Sequence, residues 1–281
     1  MGNYRDKRKY KIIKVIHRSS IMVILMLLSF ALAKEYSRKN EKDRAKDTIL
    51  LQDESDTNVE NHTVTLQDDN GKDSFSSSLV EKNPEMIPEY SGNIYVELNN
   101  NIPEFSKRDL EEKKGEEYYE QDSLGRCKGA FVLLDKSMMP KEDRGPIGQI
   151  KPSGWKQAKY PGVVDSNPPY LYNRCHLVAY GLSGQNANER NLITGTRYFN
   201  VKGMLPFEEK VMKYLEENDS HVLYRVTPYF KGDELLSRGV EMEAYSVEDN
   251  GAGVCYHVFI YNVQPGISID YSTGESRQKY G

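Results

Sequence analysis

Between residues 170 and 217 the hydrophobic pattern changes its period, and no other stretch limits the fold so tightly. Residues 170–180 read as a strand, 181–190 are polar and turn-like, and 191–195 (NLITG) read as a second strand. Residues 206–217 then read as a helix: Pro206 suits a first turn, where its missing N–H is not needed, and Phe207, Val211 and Leu215 recur at i, i+4 and i+8. A strand, a connection, a second strand and a helix, in that order, make a unit whose rigid parts can bring side chains to one place.

The rest of the chain beyond residue 90 supplies more strands than helices. Residues 94–98 form a short strand ended by Asn99, Asn100 and Asn101, and residues 129–134 form a buried one. Residues 106–120 carry a charged, helical pattern, whereas 140–161 are rich in Gly and Pro, hold the single tryptophan Trp155, and read as a long ordered loop. Residues 222–227, 240–245 and 254–263 alternate as strands, the last with Val254, Tyr256, Val258 and Ile260 on one face. The expected fold class is therefore α+β, mainly an antiparallel sheet, over residues 90–281.

The first ninety residues have a different texture. Residues 1–18 carry seven basic side chains against Asp6, and residues 21–33 (IMVILMLLSFALA) are uncharged and almost wholly apolar. That is the basic and apolar pair of an export signal, with Ala31 and Ala33 in the small-x-small pattern of a cleavage site. Residues 1–33 are thus expected to be a signal peptide or an uncleaved N-terminal signal anchor, which places the remainder outside the membrane. Residues 34–89, rich in Asp, Glu, Lys, Ser and Asn with no sustained period, read as a disordered polar tether.

Charge narrows the functional classes. The formal net charge is −4, but residues 1–18 alone contribute +6, leaving about −10 for the rest. This is no basic nucleic-acid footprint, so a nucleic-acid enzyme built this way must rely on a metal and a few local cations. Three cysteines, Cys127, Cys175 and Cys255, allow at most one bridge and fit neither a zinc site nor a disulfide framework.

The motif Tyr172-Asn173-Arg174-Cys175-His176-Leu177, followed by Asn191, Asn200 and Glu208, carries the chemistry. Phosphodiester hydrolysis needs a base for the attacking water and positive charge on the phosphate. Histidine is the natural neutral-pH base. Magnesium takes oxygen ligands and keeps several waters, so an asparagine oxygen and a glutamate holding the water shell suffice. An arginine beside the base can grip a phosphate with two N–H groups. On a strand, adjacent residues face opposite ways, so Cys175 is not expected to act as a thiol partner of His176. His257 shares a strand face with Phe259 and Tyr261 and reads as a packed residue. His221 starts a strand after a turn and reads as exposed.

The motif, then Asn188-Glu189-Arg190-Asn191-Leu192-Ile193-Thr194-Gly195-Thr196 and Arg197-Tyr198-Phe199-Asn200, resembles the DNA/RNA non-specific endonuclease family, the ββα-metal nucleases whose signature is Asp-Arg-Gly-His. Arg126-Cys127, residues 148–155 and residues 263–271 also resemble its Gram-positive branch of secreted DNases and membrane-anchored DNA-entry nucleases. The resemblance implies a ββα-metal motif, His176 as general base oriented through its other ring nitrogen, Asn200 as magnesium ligand, and Glu208 acting through metal-bound water. It further implies Asn191 as a supporting asparagine, Arg174 as the signature arginine at catalysis and substrate, and Arg144 as an upstream phosphate-binding arginine. Mg2+ is the implied cofactor, with Mn2+ or Ca2+ as substitutes. DNA is the implied substrate, with RNA a further one and 5′-phosphate products. A membrane is a partner only if residues 1–33 are retained. Two positions depart from the signature: Asn173 stands for its aspartate and Cys175 for its glycine. The competing readings are a membrane-anchored DNA-binding receptor and a surface module, each with little or no catalysis.

Overall fold

The computed structural model describes residues 89–279; the expected signal segment and all but the last residue of the expected tether lie outside them. Ten strands and three α-helices are found among the described residues. Six strands build one sheet: β1 (Tyr95–Glu97), β2 (Glu116–Tyr118), β3 (Ala130–Leu134), β6 (Val222–Tyr229), β7 (Gly239–Ser246) and β8 (Cys255–Tyr261). Their order is β1-β8-β7-β6-β3-β2, and every pairing is antiparallel. Two smaller sheets are β4 (Tyr172–His176) with β5 (Leu192–Thr196), and β9 (Ile267–Ile269) with β10 (Ser276–Gln278). The helices are α1 (Lys107–Glu112), α2 (Tyr180–Ser183) and α3 (Leu205–Glu217). The α+β, mainly antiparallel fold is as expected, with β4, β5 and α3 as its ββα unit.

Period-two alternation decides which face of the large sheet receives that unit. Val222, Tyr224 and Val226 of β6, Val240, Met242 and Ala244 of β7, and Tyr256, Val258 and Ile260 of β8 share one core with Val211 and Leu215 of α3. Cys175 and Ile193 from β4 and β5 join the same core. The apolar stripe of α3 is therefore pressed onto the sheet, and burial of side chains of this size is worth about 1.5–3 kcal/mol each. The opposite face carries Arg225, Glu241, Glu243 and His257, covered by residues 98–105.

Three departures from the sequence pattern have local causes. The expected helix over 106–120 is only α1, started by a capping box between Ser106 and Asp109. Gly115 then adopts φ +64° and turns the chain into β2. The expected strand over 170–180 stops at His176 because the Asn191 side chain takes over the ladder, its Oδ1 accepting from Val178 N at 2.8 Å and its Nδ2 donating to Val178 O at 3.0 Å. Part of the expected turn is then helical, as α2, closed by Gly184 at φ +66°. Hairpin β9–β10 had no counterpart in the sequence reading.

Ahead of α3 the chain winds as a π-turn, Phe199–Met204, in which Leu205 N bonds Asn200 O. Pro206 has no N–H to give a carbonyl four residues back, so the α ladder cannot run unbroken through this point. The turn lies close on β8, since a Cβ at Gly203 would meet Ile260 Cγ2 at 2.5 Å. Such π segments are frequent where a helix presents functional groups, and this one holds Asn200.

Candidate active site

His176 closes β4 and is buried. Its Nε2 lies 2.9 Å from the carbonyl oxygen of Asn186. A carbonyl only accepts, so Nε2 carries the proton and Nδ1 is the bare nitrogen. Nδ1 faces Arg144 Nη2 at 3.3 Å. Burial, with the Arg144 charge adding to it, lowers the imidazole pKa to about 4. At neutral pH the ring is thus a neutral acceptor held in one tautomer.

Glu208 lies in the first turn of α3 and is buried. No hydrogen bond or contact ion pair holds its carboxylate among the described residues. Burial, then Glu209, raise its pKa to about 8, and Arg144 opposes them. Asn200 is half-buried in the π-turn, and its side-chain amide also has no hydrogen-bond partner among the described residues. Both are hard oxygen donors, one of them a buried carboxylate with no contact ion pair among the described residues, and this donor set fits a small divalent cation. Arg144 acts on His176, Glu208 and Cys175 alike, which makes it the cation these groups share.

Arg174 is placed differently from a free phosphate grip. Its Nε donates to Ile150 O, its Nη2 to Gly148 O at 2.7 Å, and the guanidinium lies 4.1 Å from the Trp155 ring centre. Its cross-strand partner Thr194 donates to Ser153 O at 2.8 Å. Together they tie the 148–155 loop to the β4–β5 hairpin. Asn191 is fully buried and holds the backbone of Val178, two residues past the base.

Cys175 sits where the signature has glycine, and the structure accommodates it. A Cβ at Gly195 would lie 2.5 Å from Cys175 Sγ and 2.5 Å from Phe199 Cδ1. The missing side chain on β5 is the space the thiol occupies. Cys175 is fully buried, burial pushes its pKa well up, and none of the three cysteines forms a disulfide among the described residues. His257 is packed, and His221 is a half-exposed partner of Glu248.

Two contributors were not visible beforehand. The Asn186 carbonyl and the loop carbonyls of Gly148 and Ile150 act through the main chain, which side-chain identity does not report. One further cluster, Glu241, Glu243 and His257, gathers three metal-capable side chains. Each of them already has partners: Tyr229 donates to Glu241 at 2.6 Å, Arg225 pairs with Glu243 at 2.6 Å, and His257 contacts Glu241 at 2.6 Å.

Comparison with known proteins follows the same outline. The model of the DNA/RNA non-specific endonuclease family matches residues 107–248, half of the chain. A deoxyribonuclease of Streptococcus dysgalactiae subsp. equisimilis is 35% identical over 111 residues, 37% of this chain and 32% of the relative. The match thus spans about a third of that relative's length. NucA of Streptococcus agalactiae, solved with a magnesium ion bound, superposes with a TM-score of 0.56 at 26% identity, covering 65% of this chain and 87% of NucA. The Sda1 nuclease, solved with a bound zinc ion, gives a TM-score of 0.50 at 27% identity over 59% of this chain and 82% of Sda1.

Proposed function

This chain belongs to the DNA/RNA non-specific endonuclease family, and from that premise we propose that it is a divalent-metal-dependent endonuclease hydrolysing DNA, and RNA as well, to 5′-phosphate ends. The observation that carries the reading is the state of His176: Nε2–H tied to Asn186 O, Nδ1 bare, and a guanidinium 3.3 Å away. Nδ1 takes the proton of the attacking water once Arg144, which donates to it here, has turned onto the phosphate. A neutral base aligned this way contributes roughly 10²–10⁴ in rate.

Asn200 would hold the metal through its amide oxygen, and Glu208 would hold the metal's water shell; magnesium fits these oxygen donors. When bound, the ion supplies positive charge for the scissile phosphate and the leaving 3′-oxygen. Arg144 is the phosphate contact, because it already faces the base from the loop side. Arg174 acts on the scaffold, fixing the loop that carries Trp155, and Asn191 holds the main chain beyond the base. A few local cations and a bound metal would meet the phosphate, which suits a chain whose charge beyond residue 18 is about −10 and predicts weak, salt-sensitive binding. The basic and apolar segments of residues 1–33 support secretion or anchoring at the cell surface.

Nicking of supercoiled plasmid with magnesium, repeated with excess EDTA, tests the proposal. Cleavage that EDTA abolishes supports it. DNA retention without metal-dependent cleavage would instead favour the receptor reading. N-terminal sequencing of protein from medium and from membranes decides between release and anchoring.

A further inference from the structure

We propose that the side chain of Asn186, seated on Gly145, is the latch that sets Arg144 against His176, which makes Asn186 a positioning residue for the reaction; this rests on the nuclease reading above. Asn186 meets the site twice. Its main-chain oxygen accepts from His176 Nε2 at 2.9 Å, and its side chain reaches the loop that carries Arg144.

Gly145 is the position that reveals the latch. It is not in the left-handed region, so its backbone does not call for glycine. The space beside it is taken, because a Cβ there would stand 2.8 Å from Asn186 Nδ2 and the amide would have to give way. A glycine of ordinary conformation with a side chain packed on its bare Cα marks a close approach. The next residue back is Arg144, whose Nη2 is 3.3 Å from His176 Nδ1.

The second observation is the state of the amide. Asn186 Oδ1 is buried and has no hydrogen-bond partner among the described residues. Buried polar atoms are rarely left so, and no hydrogen bond among the described residues fixes this side chain. Its seat on Gly145 is what holds it. The base and the arginine come from segments more than thirty residues apart in sequence, and β4 pairs with β5 rather than with the Arg144 loop. Asn186 thus touches His176 on one side and Gly145, the residue next to Arg144, on the other.

The test is a double-mutant cycle on the full chain with supercoiled plasmid and magnesium. Gly145→Ala should push the Asn186 amide off the loop, loosen Arg144 and lower kcat about tenfold with a smaller change in KM, since sub-ångström to ångström misplacement at a reacting centre has effects of this order or larger. Asn186→Ala should lower kcat by a similar factor. In the double variant the Cβ has room, so its kcat should match that of Asn186→Ala alone. Effects that multiply, or two single variants with wild-type kcat, overturn the latch. Thermal melting confirms that each variant is folded.

A second readout does not need turnover. The ring 15N resonances of His176 should show a protonated Nε2 and a bare Nδ1 in the wild type, with the Nδ1 signal moved by Gly145→Ala as Arg144 withdraws. An unmoved signal overturns the latch. A wild type that does not nick plasmid overturns the nuclease reading, and the ring spectrum still decides the latch.

Discussion

Two buried groups of ionisable side chains lie on opposite faces of the large sheet, and they differ in whether their charges are met. On the back face, His257 sits between Ile102 O at 3.0 Å and Glu241 Oε1 at 2.6 Å, while Glu243 takes Arg225 Nε at 2.6 Å and Glu104 N at 2.7 Å. With the ring protonated, two carboxylates face two cations. At the candidate active site the Glu208 carboxylate and the Asn200 amide have no hydrogen-bond or contact ion-pair partner among the described residues, Arg144 acts on Glu208 without contact, and His176 is held neutral. The back face is closed electrostatically and secures residues 101–104 to the sheet. The site is open electrostatically, which is what a group meant for a ligand must be. Burial alone therefore does not distinguish structure from function here; whether the buried groups are already hydrogen-bonded does.

The largest expected effect separates the two histidines. His176→Ala should reduce plasmid nicking by roughly 10³-fold, within the range for a lost general base, while the melting temperature stays near that of the wild type. Nicking at the wild-type rate would remove His176 from the mechanism. His257→Gln should do the reverse, leaving cleavage per folded molecule intact and destabilising the chain by about 3 kcal/mol, as expected when one partner of a buried ion pair is removed.

The glutamates sharpen the contrast. Glu208→Gln should lower cleavage by roughly a hundredfold, in the range of one lost electrostatic contact to a transition state, with no loss of stability, because its carboxylate has no donor to lose. Glu243→Gln should leave a buried Arg225 charge short of its partner and lower denaturant stability by about 3 kcal/mol. If Glu208→Gln unfolds the chain more readily than Glu243→Gln, the distinction between open and closed groups fails.

The two histidines should also respond to pH in opposite directions. The paired carboxylates raise the His257 pKa above its ordinary value against the pull of burial, so its contribution is full below the unfolded value near 6.5 and is lost as pH rises through the raised one. His176 is lowered to about 4; between about 6.5 and 4 the unfolded chain binds the proton first, and stability falls as pH falls. Melting curves of the wild type, His176→Ala and His257→Gln between pH 4 and 9, without metal, should show each slope vanish in its own variant. A slope that survives its variant assigns it to another group.

The smallest effect is expected at the exposed pair Arg108 and Glu112 on α1, 2.7 Å apart. Arg108→Ala should change stability by less than about 0.5 kcal/mol, as solvent screens such pairs, and should leave cleavage unchanged. A larger loss in urea unfolding would mean that α1 matters more than its exposure suggests.

Strands β6, β7 and β8 of the large sheet were legible because β-branched and aromatic residues alternate through residues 222–263, and α3 because its apolar residues recur every four; β2 was not, because it lies in the charged stretch read as helical. The length of β4 was not legible. It depends on the Asn191 side chain taking the Val178 ladder bonds, and nothing in the motif announces that substitution. Residue types alone put His176, Asn200 and Glu208 forward as candidates for the site. The division of labour between the two arginines was not legible. Arg174 stands two residues from the base yet faces loop carbonyls and Trp155, whereas Arg144, more than thirty residues upstream, faces the imidazole.

Local pattern by itself determined the antiparallel sheet, the helix after the second strand and the kinds of group at the site, because period and residue chemistry are properties of neighbours along the chain. Tertiary structure alone decided which imidazole nitrogen is bare, which arginine meets it and which buried carboxylate lacks a partner. Those depend on carbonyls and cations delivered from distant segments, and a burial energy that is indifferent to sequence distance brings them together.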